Sequence, residues 1–358
     1  MDCSREKIIR IPALADVHVH FREPGFEYKE TVLSGSMAAA AGGYCCVCPM
    51  PNLDPAPDSP ENLQKELEII KRDALMDVIP YATITIGRKG LEITDMKALK
   101  PYCAAFSDDG SGVQGDEVML RAMRLAKENG CTIAAHCEDV SLPGEDPRSE
   151  WGQIERDLDL AAKTGCKYHV CHISSRRSLE LIVQAKRSGV DVTCETAPHY
   201  LVFSDRDRKD DGRFKMNPPL RSPEDREALI EGLSNGDIDM IATDHAPHSK
   251  EEKSKGFELS AMGIIGLETA FPVMYTNFVK KNIISLERLV ELMSTNPRKR
   301  FNLPQRPDDF AEFEIASPFS IDPGTFKSKA RSTPFEGMEV YGRCIRTVYK
   351  GKTIYEAE

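Results

Sequence analysis

From residue 13 to about residue 300, short apolar runs alternate with longer stretches whose apolar residues recur at helical spacing, and this alternation restricts the fold more than any other feature. Runs of strand length lie at 14–20 (LADVHVH), 44–49 (YCCVCP), 78–86 (VIPYATITI), 102–107 (YCAAFS), 131–136 (CTIAAH), 167–172 (KYHVCH), 190–195 (VDVTCE) and 238–243 (IDMIAT). Between them, stretches such as KETVLSGSMAAAAGG, SPENLQKELEIIKRDAL, DEVMLRAMRLAKENG and SSRRSLELIVQAKRSG read as helices, several with glycine near the end. Eight strands with intervening helices predict an α/β protein whose parallel sheet closes as a (β/α)8 barrel of the TIM type. A chain of 358 residues holds one such barrel and an appendage. The barrel is expected over 1–302, with 266–302 continuing as helix, and 303–358 as a C-terminal tail whose short strands pack on it as a reduced β-rich appendage.

Composition narrows the function classes. With 41% hydrophobic and 29% charged residues, no long apolar run and no charged leader before an apolar segment, the expectation is a cytoplasmic protein without a membrane anchor. A formal charge of −10 argues against a nucleic-acid partner, because such surfaces cluster Lys and Arg to displace phosphate counterions. An anionic substrate would need local positive charge. The eleven cysteines sit mostly in apolar runs such as GYCCVCPM, no pair of C-x-x-C motifs is present, and buried reduced thiols are expected.

The polar residues of interest fall at strand ends. His18 and His20 end the first run, Asp108 and Asp109 follow the fourth, His136 ends the fifth, His172 the sixth, and Asp244 follows the eighth. The carboxyl ends of barrel strands share one face, which carries the active site in this fold, so these positions converge. Side chains at i and i+2 of a strand point the same way with Cα atoms about 6.5–7 Å apart; His18 and His20 can therefore reach one metal, although H-x-H alone fits two structural histidines equally well. In YHVCH the odd spacing sends His169 and His172 to opposite faces. His172 is the better ligand, and His169 is expected between sheet and helix. Asp108 and Asp109 also point apart, and spacing does not choose between them or exclude a plain Asp-Asp-Gly turn. In ATDHAPH, Asp244, His245 and His248 follow the last strand, and an acid there can both bind metal and exchange a proton.

Together these segments resemble the amidohydrolase superfamily and, within it, the bacterial type I dihydroorotases. The motifs are DVHVHFREPG, MPN (50–52), AFSDDG (105–110), AHCED (135–139), HVCHIS (169–174), KMNPPLRSP (215–223), ATDHAPH and STPFEG (332–337), spread through nearly the whole chain. H-x-H marks only the superfamily, whereas HFREPG and KMNPPLRSP are far more specific. The resemblance implies that His18 and His20 hold one zinc, His136 and His172 a second, and that Asp109 bridges both where many relatives use a carboxylated lysine. It implies that Asp244 binds the first zinc and acts as catalytic acid/base. It further implies that His20, Arg22, Asn52, Asn217 and His248 contact the substrate, with backbone groups at Met262 and Gly263 closing over it. The activity implied is reversible, zinc-dependent cyclisation of N-carbamoyl-L-aspartate to (S)-dihydroorotate in pyrimidine biosynthesis. A homodimer and association with aspartate transcarbamoylase are the implied partnerships. Arg22 suits its part independently, since a guanidinium fork matches a carboxylate.

Two departures from the family pattern bear on this. Only about a dozen residues precede the first barrel strand, so the tail strands are expected to be short of partners. The segment between AHCED and HVCH is also shorter than in close relatives, which could change access to the second metal, and AMG at 261–263 replaces a more usual Pro-Phe-Gly. His199 in TAPHYL is read as structural or supporting. The stretch 248–263 and the run GSGVQGD after Asp109 are both lid candidates. Two other functions compete: another cyclic amidase, a hydantoinase or allantoinase, against which Asp109 and Arg22 argue; and a catalytically silent partner of aspartate transcarbamoylase, which would be expected to lose ligands that this chain retains.

Overall fold

The computed structural model describes residues 7–357; residues 1–6 and 358, the outermost parts of the two expected spans, lie outside the described residues. The barrel begins with β2 (Leu14–Val19), which pairs in parallel with β3 (Tyr44–Pro49), and β3 pairs with β4 (Asp77–Val78). A second parallel run is β5 (Thr132–Ala135), β6 (Lys167–Val170), β7 (Val192–Thr196) and β8 (Met240–Ile241). Single parallel bridges, Ala82 to Phe106, Phe106 to Ile133 and Val19 to His245, join the two runs on both sides and close the ring. The fold is the (β/α)8 barrel expected.

Several expected strands are shorter than their apolar runs, and buried carboxylates account for part of the difference. In the run 78–86, the amides of Ile84 and Thr85 donate to Asp108 Oδ1 at 2.9 and 3.1 Å rather than to a neighbouring strand. The run 102–107 forms no strand and pairs only at Phe106. Beyond β8, the Thr243 amide donates to Asp16 Oδ2 at 3.1 Å, and Asp16 Oδ1 also takes the His18 amide at 2.9 Å. Such acceptors satisfy backbone donors that would otherwise be buried and unpaired. They let the ladder end early on the face that carries the functional groups.

The helices Pro60–Asp73, Asp116–Asn129 and Arg176–Arg187 lie where the periodicity places them. The segment between AHCED and HVCH is largely one helix, Arg148–Thr164. The helix expected to run through 266–302 is interrupted: Asn282 has φ 57, and Ser285 caps a new helix by accepting from the Arg288 amide at 3.1 Å.

The tail strands have a partner in the leading segment. β1 (Ile8–Pro12) pairs antiparallel with β9 (Phe310–Glu314), and β9 pairs with β12 (Arg343–Tyr349), which pairs with β13 (Lys352–Glu356). A two-residue ribbon joins β10 (Phe319–Ser320) to β11 (Glu339–Val340). Phe313 stacks on Phe271 with ring centroids 3.7 Å apart, and Asp77 of β4 receives Arg306 Nε at 2.8 Å and the Tyr349 hydroxyl at 2.5 Å. This fastens the four-stranded sheet to the barrel flank, away from the carboxyl ends of the strands.

One half-buried acid in this junction makes stability depend on pH. Glu268 accepts the Lys327 and Ser328 amides at 2.9 and 3.1 Å, yet burial pushes its carboxyl up from 4.5 to about 7. Between those values the folded chain binds more protons than the unfolded one, so this group's contribution to stability falls as pH rises from 4.5 to 7. Glu268→Gln is expected to flatten that slope, as read from urea midpoints at pH 5 and pH 8; parallel midpoints in both proteins would remove Glu268 as the cause.

Candidate metal centre and active site

Strand alternation decides which side chains face the interior. Ala15 and Val17 belong to the inner core with Cys46, Cys48 and Phe301, and a register irregularity between Asp16 and Val19 turns His18 inward too. His18 and His20 are buried with ring centroids 5.4 Å apart. Asp109 lies opposite them. Its Oδ1 is 3.4 Å from His18 Nε2, 3.7 Å from His136 Nδ1 and 3.8 Å from His172 Nε2, while Oδ2 is 3.7 Å from His20 Nε2. Asp244 Oδ1 is 3.0 Å from His20 Nε2 and 3.6 Å from His18 Nε2. The six residues, from the ends of five of the eight apolar runs, thus meet in one place.

Two sets of donors have the compactness of a cation site, His18–His20–Asp109 and Asp109–His136–His172, and they share Asp109. The residues fit metal on an independent observation: His18 Nε2 and Asp109 Oδ1 are buried, face each other and have no hydrogen-bond partner. Orphaned buried polar atoms are uncommon, and a cation between them satisfies both. Imidazole and carboxylate donors suit zinc and its first-row neighbours. A third compact set, His18–Cys171–Glu195, is taken up internally, because His18 Nδ1 is already 2.6 Å from Glu195 Oε1.

The charges agree with this geometry. Burial opposes ionisation of Asp109, yet His18 and His172 hold its carboxyl well below the usual range. Burial likewise opposes Asp244, but His20 and His18 hold it down at about 2. The cluster is built around carboxylates that stay ionised beside imidazoles.

Asp108 and Asp109 separate as alternation requires. Asp108 turns away to bond Thr85, so only Asp109 enters the cluster. His245 also points away, with Nε2 3.5 Å from Glu30 and Nδ1 accepting from the Gly266 amide at 3.2 Å. His169 differs from expectation. It lies inside the barrel, edge-on to Phe301 at 5.0 Å, with Nε2 3.0 Å from Glu195. Both histidines of YHVCH reach the interior because β6 ends at Val170 and His172 adopts φ 32, which breaks the alternation. His199 is buried against Tyr200, its Nε2 is unpaired, and burial lowers it to about 4.

Around the cluster, Asn52 Oδ1 is 2.9 Å from His20 Nδ1, and its Nδ2 is 3.4 Å from Asp109. Asn217 Nδ2 donates to Glu138 Oε2 at 2.8 Å, and that oxygen is 3.0 Å from His136 Nε2. Half-buried Arg22, with φ 61, donates from Nε to Pro247 O at 3.3 Å; burial lowers its pKa to about 10, so it remains charged at neutral pH. His248 Nε2 donates to Met262 O at 2.7 Å while Lys29 lies 3.2 Å from Nδ1, and the Gly263 amide donates to Lys215 O at 3.0 Å. Of the seven non-glycine residues with positive φ among the described residues, four, Arg22, Arg88, His172 and Asp244, are gathered here. Strained backbone of this kind persists where surrounding structure fixes it, typically at functional sites.

Sequence reasoning missed Glu195, Glu138 and Arg88. Glu195 ends the seventh apolar run, the same signal that marked the histidines. Glu138 lies inside AHCED. Arg88, which donates to Asp109 O at 2.7 Å, had no motif to mark it.

Residues 7–148 match the family model described as Dihydro-orotase-like. The chain is 46% identical to the dihydroorotase of Fusobacterium nucleatum, with 99% of this chain and 91% of that protein covered. The chain belongs to the dihydroorotase family. Membership extends to the dihydroorotase of Bacillus caldolyticus, at 46% identity over 97% of this chain and 87% of that one. Among solved structures, the L-hydantoinase of Arthrobacter aurescens superposes with a TM-score of 0.89 at 27% identity, covering 97% of this chain and 85% of that chain. A dihydropyrimidinase from Brevibacillus agri, at 22% identity and a TM-score of 0.87, shares the fold. Dihydroorotase relatives and a hydantoinase neighbour mark this member of the family as a cyclic amidohydrolase. No helix among the described residues is long and apolar enough to cross a membrane.

Proposed function

We propose that the protein is a dihydroorotase that interconverts N-carbamoyl-L-aspartate and (S)-dihydroorotate. Two zinc ions would be held by His18, His20 and Asp244 on one side and His136 and His172 on the other, with Asp109 common to both. The observation that carries this reading is the pair of donor sets sharing Asp109, in a chain 46% identical to dihydroorotases. Divalent zinc there supplies Lewis acidity toward water and an amide carbonyl.

The remaining work falls to side chains. Asp244 Oδ1 faces the imidazoles of His20 and His18, which leaves Oδ2 to exchange a proton. In hydrolysis Oδ2 takes the proton of the attacking water and delivers it to the leaving ring nitrogen. Ring closure starts from protonated Asp244, which gives its proton to the departing oxygen, takes the attacking nitrogen's proton in its place and passes that to the same oxygen, so that water leaves and Asp244 ends ionised; closure is therefore favoured as pH falls. Arg22 clamps the substrate carboxylate, Asn52 and Asn217 orient the ring from opposite walls, and His248 fixes the loop bearing Met262 and Gly263 over it. His20 both holds metal and borders the substrate.

The domain division proposed is a barrel over 1–302 and a tail over 303–358. The protein would act in the cytoplasm on a soluble dianion as a homodimer; sedimentation of the protein alone and with aspartate transcarbamoylase tests both partnerships. Arg22→Met is expected to raise KM for dihydroorotate by about 10–100-fold with little change in kcat, the loss of one charge-assisted contact of roughly 1.5–3 kcal/mol. An unchanged KM would take the carboxylate off Arg22. The function itself is tested by assaying the zinc-loaded protein with dihydroorotate, hydantoin and allantoin. Turnover of dihydroorotate alone is expected; preference for either of the others, or no turnover at all, overturns the reading.

A further inference from the structure

Strand β7 supplies no residue to either shared donor set, yet its last inward-facing side chain is bonded on both oxygens. Glu195, 1% exposed, places Oε1 2.6 Å from His18 Nδ1 and accepts the His172 amide on the same oxygen at 3.3 Å. Its Oε2 is 3.0 Å from His169 Nε2, and His169 Nδ1 is 2.8 Å from Thr193 Oγ1 on the same strand. We infer that Glu195 is the positioning carboxylate of the metal centre, fixing the ring and tautomer of His18 and the backbone of His172 at once. This rests on reading His18 and His172 as metal ligands.

An ionised carboxylate accepts hydrogen bonds and cannot donate them. Its contact with His18 Nδ1 therefore keeps a proton on that nitrogen and leaves Nε2, which faces Asp109, as the nitrogen that a metal would take. The same oxygen holds the amide of His172, whose φ of 32 is one that an L-residue seldom adopts without support. One carboxylate thus touches a member of each donor set. His169 and Thr193 complete the arrangement: Thr193 donates to His169 Nδ1, His169 Nε2–H donates to Glu195, and Oε2 is thereby held while Oε1 points at His18. This gives YHVCH a division of labour, with His172 facing the metal and His169 bracing the residue that orients it.

A buried glutamate with only a structural part would lower stability when replaced and leave metal binding otherwise unaltered. The two cases separate in the zinc dissociation constant, measured by competition with a chromophoric chelator, alongside the thermal midpoint of the metal-free protein. Glu195→Gln keeps the size and one acceptor oxygen but loses the second, and it is expected to weaken zinc binding about 10–100-fold with the metal-free midpoint unchanged. Thr193→Val, a milder change, should weaken zinc in the same direction. Wild-type zinc affinity in both variants, or a metal-free midpoint that falls in step with affinity, overturns the inference. Failure of the wild type itself to bind zinc would instead overturn the reading of the site.

Discussion

Asp109→Ala is expected to release the two metal ions proposed for this site and to lower dihydroorotate hydrolysis by at least roughly a thousandfold, because the transition-state stabilisation they would supply goes with them. The reason lies in the sharing. Asp109 oxygens lie within 3.4–3.8 Å of a nitrogen on each of the four histidines. Without this carboxylate the His136–His172 pair loses the anion it shares with the other set, and Asp244 alone remains beside His18 and His20, so electrostatic cost then opposes cations on either side. Asp108→Asn is the control. Asp108 accepts the amides of Ile84 and Thr85 and takes no part in the cluster, so its replacement should cost stability and leave metal content intact. Elemental analysis with a rate measurement decides the matter. One ion per chain with activity that survives Asp109→Ala would make the site mononuclear and remove Asp109 from the mechanism.

The contrast between these neighbours shows how far a sequence carries such an argument. Alternation states that Asp108 and Asp109 point apart but not which way the strand presents them. That depends on where the run 78–86 stops pairing, and Asp108 itself determines this by taking the amides of residues 84 and 85. The barrel was legible because eight apolar runs and their helices repeat. The strand lengths were not, since ladder bonds replaced by side-chain carboxylates leave no trace in hydrophobic periodicity. His169 was misplaced for a related reason: the rule of opposite faces holds only while the strand continues, and β6 ends two residues before His172. The tail sheet depended on a long-range partner, Ile8–Pro12, paired across about three hundred residues of chain, a contact that no local pattern announces.

Asp244→Asn is expected to lower kcat for dihydroorotate hydrolysis by about 10²–10⁴-fold, the usual worth of a positioned acid or base, with KM changed far less. Asparagine keeps an oxygen toward His20 and His18 but cannot accept and return a proton. The pH dependence distinguishes this from a lost ligand. His20 and His18 keep Asp244 ionised to about pH 2 in the metal-free site, so the base form needed for hydrolysis predominates at neutral pH and is depleted only as pH falls. Ring closure needs the protonated form, and its rate therefore rises in the direction in which hydrolysis declines. In Asp244→Asn both trends should flatten while zinc content is largely retained, since His18, His20 and Asp109 remain. If the variant keeps its zinc and still shows opposite pH trends in the two directions, another group carries the proton; buried, unpaired His199 Nε2 would then be the first to replace.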